Sequence, residues 1–223
     1  MEEDYLEQLV MGSPSLTSRL REYIYIEMSH GIKVSNLAGA VARELGESEK
    51  FCEDIVVAGL LHDIGKLWVA KYLESAGNEE TLSIEKMKIV RMHPTHSCNI
   101  LKQRGYCDRI TEAVYYHHEN VDGSGYPENL QGDQIPWMAR ILRICDVYCA
   151  LTTDRSYRRA FERETAMEIM IDEVEDYDMR IFLAFQRVLH SDEAGEKLRS
   201  ICTVISPLQK EHLPLFVKEA ERL

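Results

Sequence analysis

Seven side chains able to ligate metal ions or move protons stand at or inside apolar stretches of this chain: His30, His62, Asp63, His93, His117, His118 and Asp146. The tightest grouping is Ile55-Val56-Val57-Ala58-Gly59-Leu60-Leu61-His62-Asp63-Ile64-Gly65-Lys66, an apolar run ending in adjacent His and Asp, then a glycine suited to a helix terminus and a lysine. Neighbours on a helix point about 100° apart, so His62 and Asp63 can converge on one point, with Lys66 one turn below His62 on the same face. Imidazoles mixed with carboxylates suit iron, manganese or zinc, and more than four such groups argues for more than one ion. A carboxylate such as Asp63 can bridge two cations about 3.5–4 Å apart, the separation used in two-metal hydrolysis of phosphate esters. A single histidine on an apolar face is ordinarily a core residue with satisfied hydrogen bonds, but five at helix ends are not explained that way.

The elements that must position these groups read as helices. Residues 1–11 form a short acidic helix, and Gly12-Ser13-Pro14-Ser15 breaks the chain. Leu16 to Ser29 is apolar on more than one side. From His30, which starts or just precedes an amphipathic helix, Val34, Leu37, Ala38, Val41, Ala42 and Leu45 recur at helical spacing until Gly46. A helix over about Glu49–Ile64 carries the His-Asp pair. After a polar turn around Ser75-Ala76-Gly77-Asn78, Thr81 or Ser83 caps a helix leading to Met92-His93-Pro94. Cys107–His118 is a further helix that delivers His117 and His118 to the mouth of a structured loop, Glu119-Asn120-Val121-Asp122-Gly123-Ser124-Gly125-Tyr126-Pro127. Beyond Ile135-Pro136, Met138 to Leu151 is apolar nearly all round and is expected at the centre of the core, where the carboxylate of Asp146 calls for a cation. β-Branched residues fall on helical rather than alternating spacing, so the chain is read as all-α.

Composition excludes several classes. The 45% apolar and 29% charged residues are those of a globular protein, and no apolar run approaches the roughly 18 residues needed to span a bilayer. The acidic start, Met1-Glu2-Glu3-Asp4-Tyr5, is not a secretory signal, and a cytoplasmic location is expected. Six scattered cysteines without a C-x-x-C pair imply reduced, buried thiols. A net charge of −12 argues against a large nucleic acid as partner, while a small anion held through bound cations stays open.

With these residues in view, about 24–190 resemble the HD-GYP subgroup of the HD superfamily of metal-dependent phosphohydrolases. The resemblance is carried by His62-Asp63-Ile64-Gly65-Lys66, His93-Pro94, His117-His118-Glu119 with Asp122-Gly123-Ser124-Gly125-Tyr126-Pro127, Asp146 with Ala150-Leu151-Thr152, and the downstream Arg155, Tyr157 and Arg158. It implies an HD-type helical bundle with a metal centre in its core, most often of iron or manganese, and phosphodiesterase activity on cyclic di-GMP, giving the linear dinucleotide and then GMP. His62, Asp63, His93, His117, His118 and Asp146 fall on the family's metal ligands, with Asp63 the bridge and His30 matching a histidine that opens the preceding helix. Lys66 falls on the lysine that holds substrate phosphate, and Gly125, Tyr126 and Pro127 on the signature loop. Arg155 and Arg158 are candidate phosphate contacts or ion-pair partners, and Tyr126 is a candidate base contact or loop anchor.

The implied mechanism is in-line attack by a bridging hydroxide, with Asp63 and Lys66 as catalytic residues. A catalytically silent cyclic-di-GMP-binding signalling module and a phosphohydrolase of another nucleotide are the alternatives. Two departures from the family stand out. Cys149 replaces a frequent second aspartate, and Ile26 occupies the position one turn before His30 where some members place a carboxylate for a third metal. Glu27, one residue displaced, is rotated about 100° from that face, so two divalent ions per chain are expected, not three. The domain organisation expected is a helical N-terminal extension over 1–20, the HD-GYP domain over 21–190, and a helical C-terminal extension over 191–223. The extension's cluster of Leu213, Leu215, Phe216 and Val217 would dock on the domain or on a second subunit, leaving a homodimer or a signalling-protein partner open.

Overall fold

One long helix, α2 (Ser18–Glu44), organises the bundle in this computed structural model, which describes residues 2–75, 83–154, 158–190 and 204–223. The Thr17 hydroxyl caps its start by accepting from the Leu20 amide at 3.2 Å, and Gly46, at φ +78°, follows its end. Instead of beginning near His30, the helix runs straight through it. Both halves bury side chains, Ile24 and Met28 before His30 and Val34, Leu37, Ala38 and Val41 after it, so packing favours continuity over a break.

Helix α1 (Glu2–Met11) precedes it, and α3 (Glu49–Leu61) follows, capped by the Ser48 hydroxyl. Helix α3 ends three residues before the expected Ile64, and His62–Gly65 make a tight turn from which Lys66 opens α4 (Lys66–Ser75). Lys66 therefore begins a new helix rather than lying one turn below His62 on the old one. Next come α5 (Ser83–Val90), α6 (His93–Gln103), α7 (Asp108–Tyr115), α8 (Trp137–Leu151), α9 (Arg163–Asp172) and α10 (Met179–His190). The chain closes with α11 (Pro207–His212) and α12 (Pro214–Arg222). Among the described residues there is no strand, so the all-α reading holds, and none of their helices is long and apolar enough to cross a membrane. The polar turn over 76–78 and the Thr81 cap lie outside the described residues.

Helices α2 and α3 meet at backbone distance. A Cβ on Gly31 would stand 2.3 Å from the Leu60 carbonyl oxygen, and one on Gly59 would stand 2.8 Å from the Cα of Ser35. Only glycines permit that approach, and it sets His30, next to Gly31, opposite His62, just past Leu60. A second close approach joins the turn to α6: a Cβ on Gly65 would fall 2.3 Å from the His93 carbonyl oxygen, and the Gly65 amide donates to the Ser97 hydroxyl at 2.8 Å. Helix α8 lies in the core, with Met138, Ala139, Ile141, Leu142, Ile144, Cys145, Tyr148 and Cys149 all buried, and it packs on α2, α3, α7, α9 and α10. Of the cysteines described, 52, 98, 145 and 149 are buried as expected, whereas Cys107 is exposed.

The C-terminal segment docks on its own domain. Leu213 and Phe216 are fully buried, α11 contacts α3, and α12 contacts α2 and α4. Gln209 is buried with its amide donating to the Ser35 hydroxyl at 2.5 Å and to Asn36 Oδ1 at 2.8 Å, while Ser206 and Gln209 form a capping box that starts α11.

Candidate metal centre

The two glycine-mediated approaches bring all seven candidate ligands to one place, in two groups that share Asp63. Asp63, His93, His117 and His118 form one group, and His30, His62, Asp63 and Asp146 form the other; within each, one ligand atom per residue lies within 4.8 Å of all the rest. Asp63 Oδ1 faces the first group, 3.0 Å from His93 Nε2 and 3.9 Å from His117 Nε2. Its Oδ2 faces the second, 3.1 Å from His62 Nε2 and 3.8 Å from His30 Nε2. His30 Nε2 also lies 2.9 Å from Asp146 Oδ1.

The imidazoles are oriented as metal ligands are. Nδ1 of His62, His93 and His117 donates to the carbonyl oxygens of Gly59, Val90 and Val114, at 2.8, 2.7 and 2.6 Å. A carbonyl only accepts, so Nδ1 carries the hydrogen and Nε2 of the neutral ring carries a lone pair aimed inward. His93 Nε2 nevertheless sits 3.3 Å from His117 Nε2 and 3.2 Å from His118 Nε2, so lone pairs converge on one point. His62 Nε2 and Asp63 Oδ1 are buried without an aligned hydrogen-bond partner. Convergent lone pairs and orphaned buried acceptors are what a bound cation satisfies, and the donor set fits a divalent ion of the iron, manganese or zinc type.

The electrostatics agree. Burial and the neighbouring His62 and His93 hold the His117 pKa down to about 3, and burial followed by His117 holds His118 well below the usual histidine range. Burial also opposes the charged form of His62, but Asp63 and Asp146 together overcome it and push its pKa up to about 10. Burial works against ionisation of both carboxylates too, yet His62, Lys66 and His93 keep Asp63 well below its ordinary value, and His30 and His62 do so for Asp146. The centre thus holds ionised carboxylates beside two histidines that stay neutral.

The orientation of α2 differs from the sequence expectation. Ile26 is 50% exposed and faces away, whereas Glu27 is buried, its carboxylate 3.7 Å from Lys66 Nζ. Three residues before His30 is as near to its face as four, and the helix turns the charged residue inward because Lys66 awaits it. Lys66 Nζ donates to Asp63 Oδ2 at 2.5 Å; burial opposes its charge, but Asp63 and Glu27 hold its pKa above the ordinary lysine value. Glu27 belongs to neither ligand group.

The loop after α7 is cross-linked from within. Buried Glu119 accepts from the amides of Glu128 and Leu130 at 2.6 and 3.1 Å, and the Tyr126 amide donates to the His118 carbonyl at 3.1 Å. Gly125 is buried inside this fold, and Pro127 is half-buried beside it. The Tyr126 ring stacks on His118 at 4.7 Å, and the Arg91 guanidinium covers the ring at 5.1 Å. These contacts pack Tyr126 as a loop anchor is packed. Arg143, which sequence reasoning passed over, donates from Nε to Asn120 Oδ1 at 2.8 Å, while the Val121 amide donates to the Asp176 carbonyl at 2.9 Å. An arginine inside an apolar helix, one turn before Asp146, was the available signal. The Arg158 guanidinium donates to the carbonyls of Ala150 and Leu151 as a cap on α8. Arg155 and Tyr157 lie outside the described residues.

Comparison with known proteins places this geometry. A family model described as HD domain matches residues 5–181. A cyclic di-GMP phosphodiesterase of Pseudomonas aeruginosa is 32% identical over 179 residues, 80% of this chain and 42% of its own length. A 3'3'-cGAMP-specific phosphodiesterase of Vibrio cholerae is 36% identical over 145 residues, 65% of this chain and 33% of its own. The chain thus spans less than half the length of these curated relatives. Among solved structures, a Bdellovibrio bacteriovorus protein described as an HDG"Y"P protein superposes with a TM-score of 0.59 at 19% identity, covering 85% of this chain and 62% of that one. The HD domain of the Listeria monocytogenes phosphodiesterase PgpH, in complex with cyclic-di-AMP, gives 0.54 at 16% identity, covering 90% and 98%. At those identities the likeness is one of fold. The HD model over most of the length, joined to the His-Asp pair and the loop that anchors Tyr126, establishes that this chain belongs to the HD domain family, as a member of the HD-GYP type.

Proposed function

We propose that the chain is a metal-dependent phosphodiesterase that opens cyclic di-GMP to the linear dinucleotide and then to GMP, using two divalent ions per chain, iron or manganese. The observation that carries this reading is Asp63, whose two carboxylate oxygens face two separate ligand groups. When bound, two such cations supply an acidified water and offset the charge that develops on the phosphoryl oxygens. The protein's own part is positioning. Backbone carbonyls fix the tautomers of His62, His93 and His117, and Tyr126 holds the His118 ring. Lys66, within one ionic contact of Asp63, brings an ammonium to the phosphate of the substrate and stabilises its equatorial oxygens. Glu27 keeps that lysine charged and aimed.

The nucleotide is the point to test, since relatives named for cyclic di-GMP and for 3'3'-cGAMP both match. Purified protein loaded anaerobically with manganese or ferrous iron should turn over cyclic di-GMP faster than 3'3'-cGAMP, cyclic di-AMP or linear nucleotides. A preference for another cyclic dinucleotide would change the substrate assignment. Tight binding without turnover would replace the enzyme with a binding module.

A further inference from the structure

We propose that Lys33 holds the phosphate of a cyclic dinucleotide that is not being cleaved, an assignment that rests on the function proposed above. Lys33 follows His30 by three residues on α2, so it sits about 4.5 Å further along the helix on a neighbouring part of the same face. Its ammonium reaches across to the end of α8, donating to the Thr153 hydroxyl at 3.3 Å. The same two helices are joined closer to the metal centre, where His30 Nε2 meets Asp146 Oδ1 at 2.9 Å. Lys33 therefore stands on the same seam between α2 and α8 as the His30–Asp146 contact, about one turn further along α2.

Its partner distinguishes it from the cations on the neighbouring elements. Lys66 is paired with Asp63 and Glu27, Arg143 holds Asn120 and lies 4.0 Å from Asp176, and Arg158 commits its guanidinium to backbone carbonyls. Lys33 makes no ion pair among the described residues, and the partner it has is a neutral hydroxyl. The C-terminus of α8 offers partial negative charge, but the carbonyls of Ala150 and Leu151 are taken by Arg158. In a chain with 38 acidic against 26 basic residues, a half-buried ammonium left without a carboxylate is conspicuous. An anionic ligand supplies the missing countercharge.

The ligand chemistry follows from the ring. A cyclic dinucleotide carries two phosphodiester groups, and ring closure keeps the second within reach when the first is at the ligand groups around Asp63. That second phosphate separates a cyclic dinucleotide from a simple diester. A lysine, a point charge on a flexible stem, reads a phosphate without reading the bases.

Steady-state kinetics of the metal-loaded full chain test this, with cyclic di-GMP compared against bis(p-nitrophenyl) phosphate, which has one phosphate. Lys33→Met, which keeps most of the apolar stem, should raise KM for cyclic di-GMP by about tenfold to a hundredfold with kcat little changed, the loss expected for one charge-assisted contact. Lys33→Arg should recover most of it, and kcat/KM for the simple diester should move by less than about twofold. Thr153→Ala frees the ammonium and should leave KM for cyclic di-GMP unchanged or lower. Equal losses on both substrates, no loss on either, or a Thr153→Ala variant that reproduces Lys33→Met would overturn the assignment, the last by showing a structural tie. Wild-type protein that cleaves the simple diester but no cyclic dinucleotide would refute the functional reading itself, and the role of Lys33 with it.

Discussion

Asp63 is the side chain on which most of the chemistry converges, and its geometry makes a sharp prediction. Because one oxygen faces His93 and His117 and the other faces His62 and His30, Asp63→Asn should lower metal content at both groups together. Loss of outer-sphere partners alone costs roughly 10–100-fold, so turnover should fall by more than about a hundredfold; elemental analysis beside kinetics would detect a variant that keeps its metals. His62 gives a second prediction, in pH. With its pKa pushed up to about 10 the ring is protonated at neutral pH in the metal-free protein, whereas His117, held near 3, is already neutral. Metal must therefore displace a proton from His62, and affinity should rise with pH until that pKa is passed. Calorimetry in buffers of different ionisation enthalpy should record proton release on metal binding at neutral pH, and no release would show that the His62 ring enters binding neutral. Glu27 gives a third. As the partner of Lys66, outside both ligand groups, it should leave the metal content unchanged when replaced by Gln while kcat falls. A drop from about three ions to two would instead make Glu27 a ligand.

The crossing of α2 and α3 turns those side chains into a site, and it is held by absent atoms. Gly31→Ala would drive a methyl group to 2.3 Å from the Leu60 carbonyl, so the helices must separate. Such overpacking costs about 1–3 kcal/mol, and it should lower the urea midpoint with little change in slope while weakening metal retention, since His30 and His62 part. An unfolding midpoint equal to wild type would mean the crossing yields easily. This contact explains why some of the site was readable from sequence and some was not. The ligands interrupt apolar runs, and a buried carboxylate such as Asp146 signals its own need for a cation, so residue types and spacing reach them. The sequence reading placed the inward face at Ile26, four residues before His30, and set Glu27 about 100° off it, but on a helix a residue three before His30 is also close to its face. Lys66, a partner from another helix, decides it. Arg143 was missed for a related reason: its place one turn before Asp146 is legible in the sequence, but its acceptor Asn120 belongs to a loop and is brought to it only by the fold. Arg158 has the composition of a phosphate contact and the geometry of a helix cap, a distinction made only by the carbonyls at the end of α8.

Taken as a whole, the bundle is closed by its C-terminal helices, and their attachment runs toward the metal centre. Gln209 donates to Ser35, the backbone of Ser35 lies against Gly59, and the Gly59 carbonyl fixes the Nδ1 hydrogen of His62. Gln209→Ala removes two hydrogen bonds to α2, at about 0.5–1.5 kcal/mol each, or about 1–3 kcal/mol together. At roughly 2–4 °C per kcal/mol for a domain of this size, the melting temperature should fall by about 2–12 °C. Metal contributes separately: a ligand present at about a hundred times its dissociation constant stabilises by about 2.7 kcal/mol, so stripping with chelator should lower the wild-type melting temperature by roughly 5–10 °C. Independent effects would simply add. Ser35, however, lies only five residues from His30 on α2, about 7.5 Å of helix rise, where additivity begins to fail. We therefore expect the increment between metal-loaded and stripped protein to be smaller in Gln209→Ala than in wild type, because a loosened α2–α3 crossing binds metal less well. Differential scanning calorimetry of the two proteins with and without metal measures that difference, and equal increments would reduce α11 to a clamp with no bearing on the centre.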